Sequence, residues 1–327
     1  MPAVEVLDPR FRPVALGAGP LERLATGAVW SEGPVWLAES GEVLWSDIPN
    51  NRMLAWHPRL GQRVWREACE FTNGHVREWA GRGERGAAGG GPRGALLHCS
   101  HGRRAIVRTR LDAHGQPVGD DEIVVDRYQG RRLNSPNDLI VKRDGTIWFT
   151  DPPYGILSDR EGHQAESELG DCYVFRFDPT TAGAGGEGAL RIVSDFVEEP
   201  NGLAFSPDER VLYVSDTSAA LRSEGSGHHH IVAFDVVGGQ DLANPRVFAV
   251  VNPGLADGFR VDVHGFVYTS SEDSVQVYHP DGTRIGHIPV PEKVGNLVFG
   301  GEAGNELFIC ASTSLYRIVL ATRGATA

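Results

Sequence analysis

The sequence predicts an all-β fold, a six-bladed β-propeller of four-stranded blades closed by an N-terminal strand in the last blade. Three observations predict it. A degenerate phrase recurs six times, opening as SEGPVW at Glu32, FTNGHV at Asn73, SPNDLI at Asn137, EPNGLA at Asn201, LADGFR at Asp257 and VGNLVF at Asn296. Each copy is followed by β-rich runs bounded by turn residues, so the repeating unit is all strand. The sixth copy runs out of chain before a fourth strand, while one strand-like run near the N-terminus has no blade of its own. Six units over 327 residues average about 54 each, near the length of known propeller repeats.

The elements follow in order. After Glu32 come VLWSD (43–47), RMLAWHP (52–58) and QRVWREA (62–68). The second copy fits once the Gly/Arg stretch 81–94 is set aside as a loop insert; AIVRTRLD (105–112) and EIVVDRY (122–128) then complete it. The third copy continues as TIWFTD (146–151), CYVFRFDP (172–179) and LRIVSDF (190–196), with a Gly-rich insert at 181–188. The fourth has VLYVSD (211–216), IVAFDV (231–236) and RVFAVV (246–251), and the fifth FVYTSS (266–271), SVQVYHP (274–280) and RIGHIPV (284–290). The sixth has ELFICAS (306–312) and SLYRIVL (314–320), and ERLATGAVW (22–30) reads as its missing strand. Chain ends sharing one blade would close the ring and leave no exposed sheet edge. All 327 residues then form one propeller domain, with residues 1–20 as an N-terminal extension whose removal through residue 18 is expected to be mild by comparison with removal through residue 30.

Composition narrows the function classes. The net charge is −12, and the insert GRGERGAAGGGPRG holds the one basic concentration, so a nucleic-acid reader is excluded. No apolar run approaches a membrane span, and the N-terminus MPAVEVLDPRF has neither the basic start nor the apolar stretch of a secretory signal. A cytoplasmic location is the expectation. Cys69, Cys99, Cys172 and Cys310 lie in strand-like contexts without a CxxC pair and read as reduced core residues.

In a propeller the first strand of every blade lines the central channel, so Glu32, Asn73, Asn137, Asn201, Asp257 and Asn296 should face one another as a polar ring. Asn, Asp and Gly before a strand also make turns. Glu32 is a poor turn former, and two acids converging with amides are costly to bury unless a cation neutralises them. The ring holds no His or Cys, so its chemistry is hard: Ca²⁺ first, with Mg²⁺ and Mn²⁺ sharing the preference for oxygen and Zn²⁺ a further alternative.

At these residues the chain resembles a known family. SEGPVW, SPNDL, PNGLAFS and ADGFRVDVHG, in that order, are similar to motifs of the senescence marker protein, gluconolactonase and luciferin-regenerating enzyme family, and FTDPPYG and ICASTSLYRI resemble its bacterial gluconolactonase branch. The resemblance spans about Ser31 to Ile318. It implies a six-bladed propeller with one divalent metal in the channel, held by Glu32, Asn137, Asn201 and Asp257. It further implies hydrolysis of an aldonolactone to the aldonic acid, with Asp257 as both ligand and general base and Glu32 mainly as a ligand. The branch usually has a short turn where this chain carries 81–94.

Around the metal, His101, Arg132, Asp138, Asp151 and Tyr154 are the candidate contacts for the hydroxyls of a small-molecule substrate, and Asn73 joins them from the ring. Asp216 closes a strand where Asp47 and Asp151 also do, which favours a structural hydrogen bond to a neighbouring turn. The run His228–His230 follows a Gly/Ser loop and reads as surface. Two other functions compete: a phosphotriester hydrolase using the same metal, and a non-catalytic calcium-binding propeller. Oligomeric state is not encoded in any motif.

Overall fold

The recurring phrase forms the innermost strand of each blade, and the strands after it step outward in chain order. The structure is a computed structural model that describes residues 3–79, 94–181, 189–223 and 225–325; both Gly-rich inserts lie largely outside them. Blade 1 is Ser31–Leu37, Glu42–Asp47, Arg52–His57 and Gly61–Glu67; blade 2 is Thr72–Trp79, Gly94–Ser100, Ala105–Arg110 and Glu122–Val125. Blade 3 is Leu139–Val141, Ile147–Asp151, Tyr173–Phe177 and Leu190–Ser194; blade 4 is Pro200–Phe205, Val211–Asp216, His230–Val237 and Asp241–Val250. Phe259–Val261, Val267–Thr269, Ser274–Tyr278 and Arg284–Pro289 make blade 5, and Val294–Gly300, Glu306–Ala311 and Ser314–Val319 begin blade 6. All pairings are antiparallel, as the short connections require.

The second strand of a blade packs on neighbours from both sides, which is why it reads as a near-continuous apolar run. Val43, Leu44 and Trp45 are all buried. Trp148 of blade 3 stands edge-on to Phe205 of blade 4 at 5.4 Å, and Trp36 of blade 1 stacks on Phe308 of blade 6 at 5.7 Å. The core is therefore a ring of inter-blade layers that needs every blade present. The four cysteines are buried and form no disulfide among the described residues. Among the described residues no helix is long and apolar enough to cross a membrane.

Closure occurs as the strand count requires. Glu22–Thr26 pairs with Ser314–Val319, placing Thr26 opposite Ser314 and Glu22 opposite Arg317, and these last two form an ion pair. The N-terminal extension does more than the sequence reading assigns it. Glu5–Val6 pairs with Arg284–Pro289 as a fifth strand of blade 5, and Phe11 is fully buried, its ring 6.4 Å from both Phe266 and Tyr268. Removal of residues 1–18 would thus take a strand from the edge of blade 5 and Phe11 from its core, a cost that the repeats alone do not announce.

Candidate metal and active site

The ring positions are set by irregularity in the inner strands. Pairing with the next strand slips between Glu32 and Val35, Thr72 and His75, Pro200 and Leu203, and Val294 and Asn296. In blades 3 and 5 regular pairing begins only after the ring residue, at Leu139 and Phe259. A bulge re-aims a side chain that a regular strand would direct at the neighbouring blade. It also frees backbone groups, and these bond to the next blade: Ser46 Oγ to Asn73 O at 2.9 Å, Gly74 N to Asn137 O at 2.9 Å, Thr150 Oγ1 to Asn201 O at 2.6 Å, Gly202 N to Asp257 O at 2.9 Å and Gly258 N to Gly295 O at 2.8 Å. The result is a belt of hydrogen bonds binding blade to blade at the level of the ring. Glycine after the ring residue is needed for this approach. A Cβ on Gly33, whose φ is +52°, would lie 2.0 Å from Asn73 O, and one on Gly202 would lie 2.3 Å from Asp257 O.

Glu32 is buried on this belt. Its Oε2 accepts from Gly33 N at 2.9 Å, and among the described residues its Oε1 has no hydrogen-bond partner. A Cβ on Gly295 would lie 2.4 Å from that same oxygen, so glycine there makes room for the carboxylate. Burial, and then the nearby Asp257, push the Glu32 carboxyl well above its usual range, with Asp138 adding to the rise and Gly33 N–H and the Asn296 side chain opposing it. Asp257 is half-buried, and burial lifts its carboxyl to about 7; Lys293 pulls it down, while Glu161 and Asp138 push it up. Asp138, also raised by burial, meets the Arg260 guanidinium across the channel at 3.4 Å. Three carboxyls thus crowd one place.

The amides are oriented by what holds their nitrogens. His101 Nδ1 is 2.9 Å from the Glu161 carbonyl, which can only accept, so Nδ1 carries the hydrogen. Burial keeps the ring neutral, with its pKa near 4, and Nε2 is then an acceptor for Asn73 Nδ2 at 3.4 Å. Asn201 is held in the same way: Nδ2 donates to Thr217 Oγ1 at 3.4 Å, and Tyr154 Oη bonds that hydroxyl at 2.6 Å. Among the described residues no three His, Cys, Asp or Glu side chains group to hold a metal. The expected donor set is instead two carboxylates, Glu32 and Asp257, with the amide oxygens of Asn137 and Asn201. It includes an orphaned carboxylate oxygen and lacks soft ligands, which fits a hard divalent cation.

The structure brings Asn73, His101, Asp138 and Tyr154 to this ring and takes Asp151 away from it. Asp151 is wholly buried, and its Oδ2 accepts from Asn134 N at 2.8 Å. Asp47 accepts from Val29 N at 2.8 Å and Asp216 from Glu198 N at 3.1 Å, so the recurring aspartate ties down the backbone three residues before the ring residue in three blades. That makes Asp151 an anchor of Asn137's approach, and its assignment as a substrate contact is corrected. Arg132 lies on a small hairpin, Arg127–Tyr128 with Arg131–Arg132, and its guanidinium donates to Arg103 O at 2.8 Å. His228 sits 4.6 Å from His230, ring to ring, and 3.5 Å from Glu198. Sequence reasoning missed Arg260, Lys293, Thr217 and Glu161. For Arg260 a signal existed: the same offset in the other copies holds Val35, Val76, Ile140, Ala204 and Phe299.

Comparison with known proteins gives a consistent picture. The SMP-30/Gluconolactonase/LRE-like region family matches residues 30–313. A gluconolactonase of Zymomonas mobilis is 33% identical over 330 residues, covering 97% of this chain and 86% of that protein. A pentonolactonase of Haloferax volcanii is 26% identical over 285 residues, covering 85% of this chain and 80% of its own. The solved gluconolactonase of Xanthomonas campestris superposes with a TM-score of 0.80 at 40% identity, covering 97% of this chain and 94% of that one.

Proposed function

Since the chain belongs to the SMP-30/gluconolactonase/LRE-like family, we propose that it is a metal-dependent lactonase that opens a sugar lactone to its aldonic acid. Glu32, Asn137, Asn201 and Asp257 would hold the ion, Ca²⁺ first. When bound, such an ion supplies Lewis-acid polarisation of a carbonyl oxygen. Asp257 acts as general base: its carboxylate takes a proton from the attacking water as that oxygen bonds to the lactone carbonyl carbon. The ring C–O bond then breaks, and its oxygen takes up a proton to become a hydroxyl. The belt makes this productive by fixing the Asp257 backbone through Gly202 N, through Ser215 Oγ at 3.1 Å, and through Ser270 Oγ at 2.7 Å from its own N–H. Asp138, His101, Asn73 and Tyr154 surround the ring as hydrogen-bonding groups for the hydroxyls of the sugar.

One observation carries this reading: buried Glu32 presents an unpartnered Oε1 to a place where Asp138 and Asp257 also converge, an arrangement that costs stability unless a cation completes it. The test is proton release with glucono-δ-lactone and with a phosphotriester, each with chelator and with added Ca²⁺. Lactone turnover that chelator abolishes and Ca²⁺ restores supports the proposal. Turnover indifferent to chelator removes the metal from it, and preference for the phosphotriester reassigns the substrate.

A further inference from the structure

Three junctions between neighbouring blades are closed at the ring by the same kind of backbone bond. The N–H of the glycine after the ring residue donates to a carbonyl at or beside the next ring residue, as Gly74 does to Asn137, Gly202 to Asp257 and Gly258 to Gly295. The junction between blades 1 and 2 departs from this. Gly33, at φ +52°, turns its N–H back to Glu32 Oε2 at 2.9 Å. Asn73 O, the acceptor that Gly33 would meet under the common pattern, takes the Ser46 hydroxyl at 2.9 Å instead. Gly33 also lies in the slip between Glu32 and Val35, so its own carbonyl has no place in the pairing with Glu42–Asp47.

His75 supplies that carbonyl with a partner. Its Nδ1 lies 2.5 Å from Gly33 O, and a carbonyl can only accept, so Nδ1 carries the hydrogen. The ring is almost wholly buried and faces His98 across the strand pair, with centroids 6.1 Å apart. His98 is itself held on both nitrogens, by Thr72 Oγ1 at 3.3 Å and Thr109 Oγ1 at 3.2 Å. The imidazole that meets Gly33 is thus backed by a second one that cannot turn away. Nothing in the repeat asks for histidine here. Two residues after the ring residue the other copies carry Pro34, Leu139, Leu203, Phe259 and Val298. Burying an imidazole in a slot that elsewhere takes an apolar side chain costs stability, and its Nε2 has no partner among the described residues. The bond to Gly33 is what the histidine adds.

We propose that His75 is a positioning residue for the ring cation: by holding the Gly33 carbonyl it keeps the Gly33 N–H on Glu32 Oε2 and leaves Oε1 free for the ion. This rests on the metal reading of the same site. His75 acts through Glu32, so its loss should be felt in ion affinity rather than in turnover at saturating ion. Removing a group that orients a metal ligand sets the scale at about 10-fold.

The test compares the full-length protein with three variants. His75→Leu installs the residue of blades 3 and 4. His75→Asn carries an amide nitrogen where Nδ1 was, and His75→Gln carries one where Nε2 was. Calorimetric titration should show Ca²⁺ affinity about 10-fold weaker in His75→Leu and His75→Gln and largely restored in His75→Asn, with kcat on glucono-δ-lactone at saturating Ca²⁺ close to the parent in all three. His75→Gln decides alone should His75→Leu fail to fold. Parent-like affinity in the Leu and Gln variants overturns the proposal, as does a loss that Asn does not restore or one that persists in kcat at saturating Ca²⁺. A parent that binds no Ca²⁺ would sink the metal reading, and crystal structures grown in chelator would still decide the role of His75. Gly33 N should stay on Glu32 Oε2 in the parent and His75→Asn, and turn to Asn73 O in His75→Leu and His75→Gln, as in the common pattern. Gly33 N still bonded to Glu32 in those two variants overturns the inference.

Discussion

Arg260 of blade 5 reaches across the channel to Asp138 of blade 3, placing Nη1 3.4 Å from a carboxylate that is itself almost wholly buried. The same guanidinium donates to Phe259 O at 2.8 Å, which aims it. Breaking a buried pair from one side leaves an uncompensated charge. Arg260→Ala should therefore destabilise the protein by about 3 kcal/mol or more. Arg260→Ala together with Asp138→Asn should recover part of the loss. Urea unfolding of the three variants measures both; a silent Arg260→Ala would mean that water already serves Asp138.

Phe11 ties the N-terminal extension to blade 5 between Phe266, Tyr268 and the backbone at Gly286. Phe11→Ala should cost about 3 to 5 kcal/mol, the usual range for a buried aromatic. Deletion of residues 1–18 should cost at least as much. Deletion of residues 1–30 also removes the closing strand and exposes the edge of Ser314–Val319, so aggregation is expected. Thermal melts and light scattering separate these outcomes, and a Phe11→Ala protein that melts like the parent would refute the packing account.

The parts of this architecture that repeat were legible in the sequence, and the parts that occur once were not. Glu32, Asn73, Asn137, Asn201, Asp257 and Asn296 could be aligned because a propeller reuses one strand–turn–strand solution. The tethering role of Asp216 followed from its match to Asp47 and Asp151, although Asp151 itself was then misassigned as a substrate contact. Asp138 and Arg260 were readable only as departures from their copies, an acid where most copies have glycine and a cation where the others are apolar. Phe11 and Glu161 had no copies. Their roles arise from long-range packing of an extension and of the connection 152–172, which no local period encodes.

Proton binding and cation binding should compete at the ring. Burial holds the Asp257 carboxyl near 7 and Glu32 well above its usual range, so below neutral pH both keep protons that the ion must displace. The stabilisation conferred by Ca²⁺ should thus be small near pH 5 and grow as pH rises through 7. Neutral buried histidines act separately. His75 is held near pKa 4 by burial, and His98 is pushed down for the same reason. An unfolded chain protonates these rings from about 6.5 downward, so their contribution is present above that pH and is lost as pH falls toward 4. Without the ion the raised carboxyls cost stability as pH rises and they ionise, against the smaller histidine effect, whereas Ca²⁺ neutralises them. Melting temperatures from pH 4.5 to 8 should therefore show the Ca²⁺ curve separating above the chelator curve as pH rises through 7. Parallel curves would exclude the raised carboxyls as ligands.

Asp257 is where chemistry and cation capture can be separated. Asp257→Asn keeps a carbonyl oxygen for the ion and the backbone bonds to Gly202 and Ser215, but removes the charge and the basic site. Lactone turnover should fall by about 10² to 10⁴, the usual cost of losing a general base, while Ca²⁺ affinity falls modestly. Glu32→Gln should do the reverse, because the orphaned Oε1 is the oxygen most in need of a cation; its turnover should recover in part when Ca²⁺ is supplied in excess. Asn296→Ala is not a neutral control, since Asn296 Oδ1 accepts from Leu297 N at 2.8 Å and its side chain eases the burial of both Glu32 and Asp138. It should weaken Ca²⁺ binding without a separate loss of turnover at saturating ion. Measured affinity and turnover for the three variants decide the assignment. Near-normal turnover of Asp257→Asn at saturating Ca²⁺ would move water activation to Glu32, the other carboxylate among the six ring residues.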